Sequence, residues 1–185
     1  MVKFKELRLK TNNILNANVL VIQVSEDYYM QDGIRLSLFP SSALDIADKH
    51  ECVLPTQRLV DLIWLNADIK LEPITFRNNR QDIIKHNNLI NMQLQLYGNV
   101  QGCLIAGHKK DILGKKNGKV IIYGWHRTNG KPIQPLSSIH SENYKDHSHG
   151  TRLVKKKCFY NGKEYNIDDP FISNVLLNVI DTAKE

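Results

Sequence analysis

Long apolar runs are missing from this sequence. The longest stretches, such as VLVI at 19–22 and VIIY at 120–123, hold four residues. A membrane-spanning helix needs about 20. The N-terminal MVKFKELRLKTNN carries basic residues with no apolar stretch behind it, so no signal peptide is read there. Cysteine is scarce too. Cys52, Cys103 and Cys158 share no C-x-x-C spacing, which argues against a zinc knuckle or a redox motif, and their odd number argues against a full disulfide framework. No H-E-x-x-H segment, internal repeat or low-complexity tract is present.

Within 185 residues, 42% hydrophobic, there is room for one domain with a real core. The formal charge of +6 favours anionic surroundings, either nucleic acid or a cell-wall polymer. Nucleic acid is the less favoured partner, because aromatics do not alternate with the basic residues as a stacking platform requires. The one tight basic run, Lys155-Lys156-Lys157, reads as a solvated strand face.

NVLVIQVS at 18–25 predicts a buried strand, and Asp32-Gly33 a hairpin turn. Pro40-Ser41-Ser42 opens a helix through about Lys49, and PTQRLVDLIWLNA predicts a second. Residues 70–80 are expected to be extended. A longer helix is expected over about Arg80–Leu96, ended by Gly98. GCLIAGHKKDIL and KVIIYGWH flank a GKKNG turn, and a long polar loop follows over 127–150. TRLVKKKCFY and KEYNI flank Asn161-Gly162, and a last helix runs from about Asp169 to Thr182. The pattern is α+β: one domain, 1–185, with an antiparallel sheet of hairpins and three to four helices.

Four features carry chemistry. Cys52 lies just ahead of the helix that Pro55 helps to start, where a positive dipole end would lower a thiol pKa; its alternative is a packed core thiol. His108 and His126 oppose each other if the turn centres on Asn117, as a base and its orienter or as two metal ligands. HSENYKDHSHG, 140–150, offers His140, Asp146 and His149 as zinc ligands beside His108 and His126, with Glu142 the remaining acid for a metal-bound water. Alternatively the stretch is a loop over a cysteine site, where Tyr144, His149 and Arg152 contact substrate, or a solvated polar loop. His147 and His149 would share a face on an extended segment. Pro132 and Pro135 are expected to keep the approach to this loop out of the sheet. Trp125 is a candidate wall of a substrate groove.

The order Cys52, His108, His126 resembles that of papain-like cysteine hydrolases, and most nearly the small cell-wall amidases among them. That resemblance implies a papain-like fold, a Cys52 nucleophile, a His108 base and a His126 orienter acting on a peptide amide, with no cofactor. It departs from those amidases at Glu51-Cys52-Val53, where their Asp-Cys-Ser context is absent. CVLPT…VD, GHKKD, IYGWHRTNGKPIQPL and DHSHGTRLV are similar to a family of bacterial proteins, many of them exported, over about Tyr28–Val154. This second resemblance implies an extracytoplasmic setting and no particular reaction. Three functions follow: a cysteine amide hydrolase, a zinc hydrolase, and a non-enzymatic binding or surface module with a His-rich recognition loop.

Overall fold

The computed structural model describes residues 1–11, 18–76 and 82–180. It is α+β, with four helices and mostly antiparallel sheets. The strand Asn18–Ser25 is the axis of the larger sheet. Along one side it pairs antiparallel with Phe4–Thr11 over eight residues. Its other side is shared by Lys157–Tyr160 and Val154–Lys155. Lys163–Asn166 and Cys52–Val53 extend the two ends. Alternation along Phe4–Thr11 and Asn18–Ser25 sends Leu7, Leu9, Leu20, Ile22 and Val24 to one face.

That face is covered by α2 (Gln57–Leu65) and α4 (Pro170–Leu177), through Leu59, Leu62, Ile63, Ile172, Val175 and Leu176. Each buried aliphatic side chain contributes about 1.5–3 kcal/mol of transfer free energy. Thr56 caps α2 by accepting from the Leu59 amide, and Asp169 caps α4. The N-terminal strand, which the basic pattern of the first residues gave no reason to expect, therefore completes the main core.

The second sheet is built on the hairpin Lys110–Lys116/Lys119–His126, turned at Asn117-Gly118. α1 (Pro40–Lys49) packs on it, burying Ala43, Ala47, Cys52 and Leu54 against Ile112, Val120, Ile122 and Leu153. Pro132–Ser137 joins this sheet as an edge strand, contrary to the expectation that its prolines would exclude it. An edge strand can turn a residue without an N–H toward solvent, so proline is tolerated there. His149-Gly150 pairs parallel on the opposite edge, beside Lys110-Asp111.

α3 (Ile83–Gln95) packs on Ile69, Leu71 and Ile105 through Ile90 and Leu94. Asp82 caps it; the expected start at Arg80 and residues 77–80 of the extended stretch lie outside the described residues. Its buried face also holds His86 and Asn87, while Ile84 and Met92 are exposed. The last helix ends at Leu177 instead of continuing to Thr182, whose position is outside the described residues. Lys155, Lys156 and Lys157 bond the His50 carbonyl, Asp48 and Glu164 respectively, as a solvated strand face would. No helix among the described residues is long and apolar enough to cross a membrane.

Gly107 sits where two chain segments touch, with φ +96; a Cβ there would lie 2.5 Å from the Leu71 carbonyl oxygen and 2.9 Å from that of His126. Gly33, at φ +77, has open space around it. Gly107→Ala is expected to cost more than about 3 kcal/mol, against about 1 kcal/mol for Gly33→Ala, measured by urea denaturation of both variants.

Candidate functional site

The centre of the molecule is crowded with buried ionisable groups. Asp27 follows the axial strand. Its carboxylate receives Arg35 Nε at 3.0 and 3.1 Å, Arg35 Nη2 at 2.6 Å and His108 Nε2 at 2.9 Å. Arg35 continues to Asn87 and Asn91 of α3, at 3.0 and 2.9 Å. Burial alone would push the Asp27 carboxyl up; His108 and Arg35 overcome it and hold the group well below the usual carboxylate range. Arg35 supplies the countercharge. His108 serves as a neutral donor, its pKa lowered to about 4 by burial, with Asp27 opposing that shift only in part.

His126 is elsewhere. Its Nε2 is 3.1 Å from Asp61 of α2, which also accepts from Tyr123 at 2.8 Å, and its ring stacks on Trp64. The register explains the separation. Lys110↔Gly124, Asp111↔Tyr123 and Ile112↔Ile122 keep the spacing that would align His108 with His126, but the strand begins at Lys110. Past it, Gly107 turns with positive φ and His108 leaves for Asp27. The base–orienter pairing is therefore not formed.

Cys52 also departs from expectation. It lies in a two-residue strand between α1 and α2, and Thr56, not the thiol, occupies the α2 cap. Aliphatic side chains surround it, Sγ bonds the His50 carbonyl at 3.2 Å, and burial pushes the thiol pKa up. Lys155, Glu51 and Lys156 are the charged groups acting on it, and none is an imidazole. Cys52, Cys103 and Cys158 are all unpaired.

The proposed zinc ligands are dispersed as well. His140 stacks on Tyr144 at 4.1 Å. Asp146 is taken up within its own loop, accepting from the Ser148 amide at 2.8 Å, Ser148 Oγ at 2.5 Å and Tyr144 at 3.2 Å, and pairing with Lys110 at 3.2 Å. Glu142 pairs with Lys115. Among the described residues no three His, Cys, Asp or Glu side chains are grouped to hold a metal. Arg152 is fully buried: it grips the Ser25 and Ile105 carbonyls at 2.8 and 2.7 Å and lies over the Tyr28 ring, so no substrate carboxylate can reach it. His149 is also fully buried, edge-on to Tyr144, with a pKa lowered to about 4 by burial.

What the tertiary structure does assemble is a cluster around His147. A turn at 147–148 sends His147 and His149 apart instead of onto one face. The His147 ring lies 4.6 Å from Phe76, 4.8 Å from His86 and 6.4 Å from Trp125, centroid to centroid. Lys109 Nζ donates to the His147 and His149 carbonyls at 2.7 and 3.3 Å, pinning the loop, and burial lowers its pKa to about 7. Lys110 Nζ is 5.1 Å from the Trp125 ring. Burial, aided by these lysines, keeps His86 and His147 neutral. The Trp125 Nε1 and His147 Nε2 atoms are buried without a partner among the described residues, and His86 has only a marginal backbone partner at Ile74.

Trp125 is held at φ +56, a left-handed conformation that a bulky residue rarely adopts, after Gly124 at φ +100. Such strain is retained where the surrounding structure imposes it, and it collects at functional sites. Of this cluster, Trp125 was legible in the sequence. His86 could have been found from its place on the 86, 90, 94 stripe of α3, where a polar residue interrupts an apolar face. Phe76 and Lys109 carried no comparable signal.

Comparison with family models, with curated proteins and with solved structures finds no match for this chain.

Two outcomes are expected. His86, His108 and His149 have folded pKa values of about 3, 4 and 4, against 6.5 for a free imidazole. The unfolded chain takes up these protons first, so the stability they contribute is complete above pH 6.5 and is lost as pH falls toward 4. Asp111, raised to about 6 by burial, offsets one of the three over the lower part of that window. The net loss is on the order of several kcal/mol, read as a falling urea midpoint between neutral pH and about pH 4.5. Iodoacetamide should modify half-buried Cys103 before Cys52 or Cys158, as read by peptide mapping; first labelling at Cys52 would restore the cysteine reading.

Proposed function

We propose that this chain is a recognition module that binds the carboxylate of a peptide at the cluster of Phe76, His86, Trp125 and His147. One observation carries the reading: a strained Trp125 whose buried indole N–H has no partner among the described residues, set beside His147. An indole N–H is a donor only, and an unpaired buried donor is costly unless something supplies an acceptor. Lys109 and Lys110 stand close by, with Asp146 paired to Lys110 and Asp27 acting on Lys109, and an anion is the acceptor that two lysines favour there. Phe76 adds an apolar wall for the rest of the ligand. The exported setting implied by the family resemblance suits such a role.

Amide hydrolysis is the second reading. His147, whose pKa burial lowers and whose Nε2 has no partner among the described residues, suits a general base, so His147, not Cys52, is the residue to test for it. A papain-like arrangement has less support, since it needs a thiol and an imidazole to meet and Cys52 and His108 make unrelated contacts.

The two indole N–H resonances are separated by Trp64→Phe. An N-acetylated dipeptide should then shift the Trp125 signal saturably, and its C-terminal amide should not. His147→Ala should abolish the shift. No response to the acid, or equal response to the amide, ends the proposal.

A further inference from the structure

On the other side of the same strand a small cavity of about 10 Å³ is bordered by Tyr28, Trp64, Gly107, Asp111, His126 and Arg152. Its size is at the lower bound for one water molecule. Its wall is polar, and two atoms of its lining residues, Trp64 Nε1 and Arg152 Nε, are buried without a partner among the described residues. An apolar cavity stays dry, but one with several polar partners takes up water.

Gly124 lies next to two of the residues that line it. A Cβ built on it would lie 3.4 Å from His126 Nδ1 and 3.5 Å from Asp111 Oδ2. Both polar atoms therefore lie close to the same glycine, with Val60 Cγ1 at 3.1 Å on the apolar side, and all three residues line the cavity. His126 leads outward, because its Nε2 meets Asp61, whose side chain is 32% exposed. Asp111 leads inward to Tyr28, whose hydroxyl lies 2.9 Å from Asp111 Oδ2 and 3.1 Å from the Lys109 carbonyl. One phenolic proton cannot serve both acceptors fully. It goes to Asp111 when that group is ionised, and to Lys109 when Asp111 is protonated and donates to the phenol oxygen.

We propose that the cavity binds one water that joins Asp111 to His126 and gives this buried carboxyl a proton path to solvent through Asp61. In the tautomer that donates Nε2–H to Asp61, the His126 ring presents Nδ1 as an acceptor toward the cavity. A proton leaves the Asp111 carboxyl for the water, and the water passes one of its own to Nδ1. The ring releases its Nε2 proton to Asp61, which returns it to solvent. Charge and proton count balance at each transfer. The ionisable or charged groups facing Asp111 are Tyr28, Arg152, His126 and Asp61.

A crystal structure of the unmodified protein at atomic resolution tests the site directly. One ordered water within hydrogen-bond distance of both Asp111 and His126 Nδ1 is the expected result. An empty cavity, or a water touching only one of the two, overturns the proposal. The path is tested by infrared spectroscopy of the protonated Asp111 C=O band on dilution into D₂O, below the midpoint of its titration. His126→Phe, which retains an aromatic ring on Trp64, should slow the band shift by about tenfold or more, because exchange then waits for local opening. Asp61→Asn, at a half-exposed position, should slow it in the same direction without depending on the fold of the cavity. Unchanged exchange in both variants overturns the path.

Discussion

The buried carboxylate of Asp27 is the contact on which the rest of the arrangement depends. It draws Arg35 from the short hairpin turned at Asp32-Gly33 and His108 from the approach to the second sheet onto one point, and through Arg35 it reaches Asn87 and Asn91 of α3. A buried charge is tolerated only with a close countercharge and satisfied hydrogen bonds. The bidentate Arg35 fork meets that condition and leaves His108 neutral. The 27–35 region, α3 and the approach to the second sheet are thereby held together by one group. Removing either charge would leave the other uncompensated.

From this centre the strand Lys119–His126 divides two environments. Trp125, turned by its left-handed backbone, faces Lys110 and His147; His126, the next residue, stacks on Trp64 and reaches Asp61. Lys109 and Asp111 divide in the same way: one pins the histidine loop, the other meets Tyr28. Buried charge thus serves position more than stability. Each group aims a loop or a ring that aliphatic packing alone would leave free to turn.

Legibility followed the range of the interaction. The turns at Asp32-Gly33 and Asn161-Gly162 and the start of α1 at Pro40 were readable because their causes are local: left-handed φ values that Gly and Asn accept, and a proline whose φ suits a first turn. Pro132 misled because its tolerance depends on lying at a sheet edge, which is a property of the neighbours. Cys52 misled because a thiol before a helix and a thiol in a core share the same local sequence. The shape of α1 against Ile112 and Ile122 chose between them. His86 was hidden for a related reason: its partners, Phe76 and His147, come from segments separated by 71 residues.

The sequence by itself determined the α+β class, the hairpins, the start of α1 at Pro40 and a chain dense in imidazole and lysine, because alternation, proline geometry and turn chemistry act over a few residues. Only the tertiary structure decided which imidazoles are neighbours, which cations are buried, and that Trp125 and His126 serve opposite sides of one strand. Those outcomes follow from long-range desolvation and from a backbone twist at Gly107 and Gly124, and neither is written in any short stretch of residues.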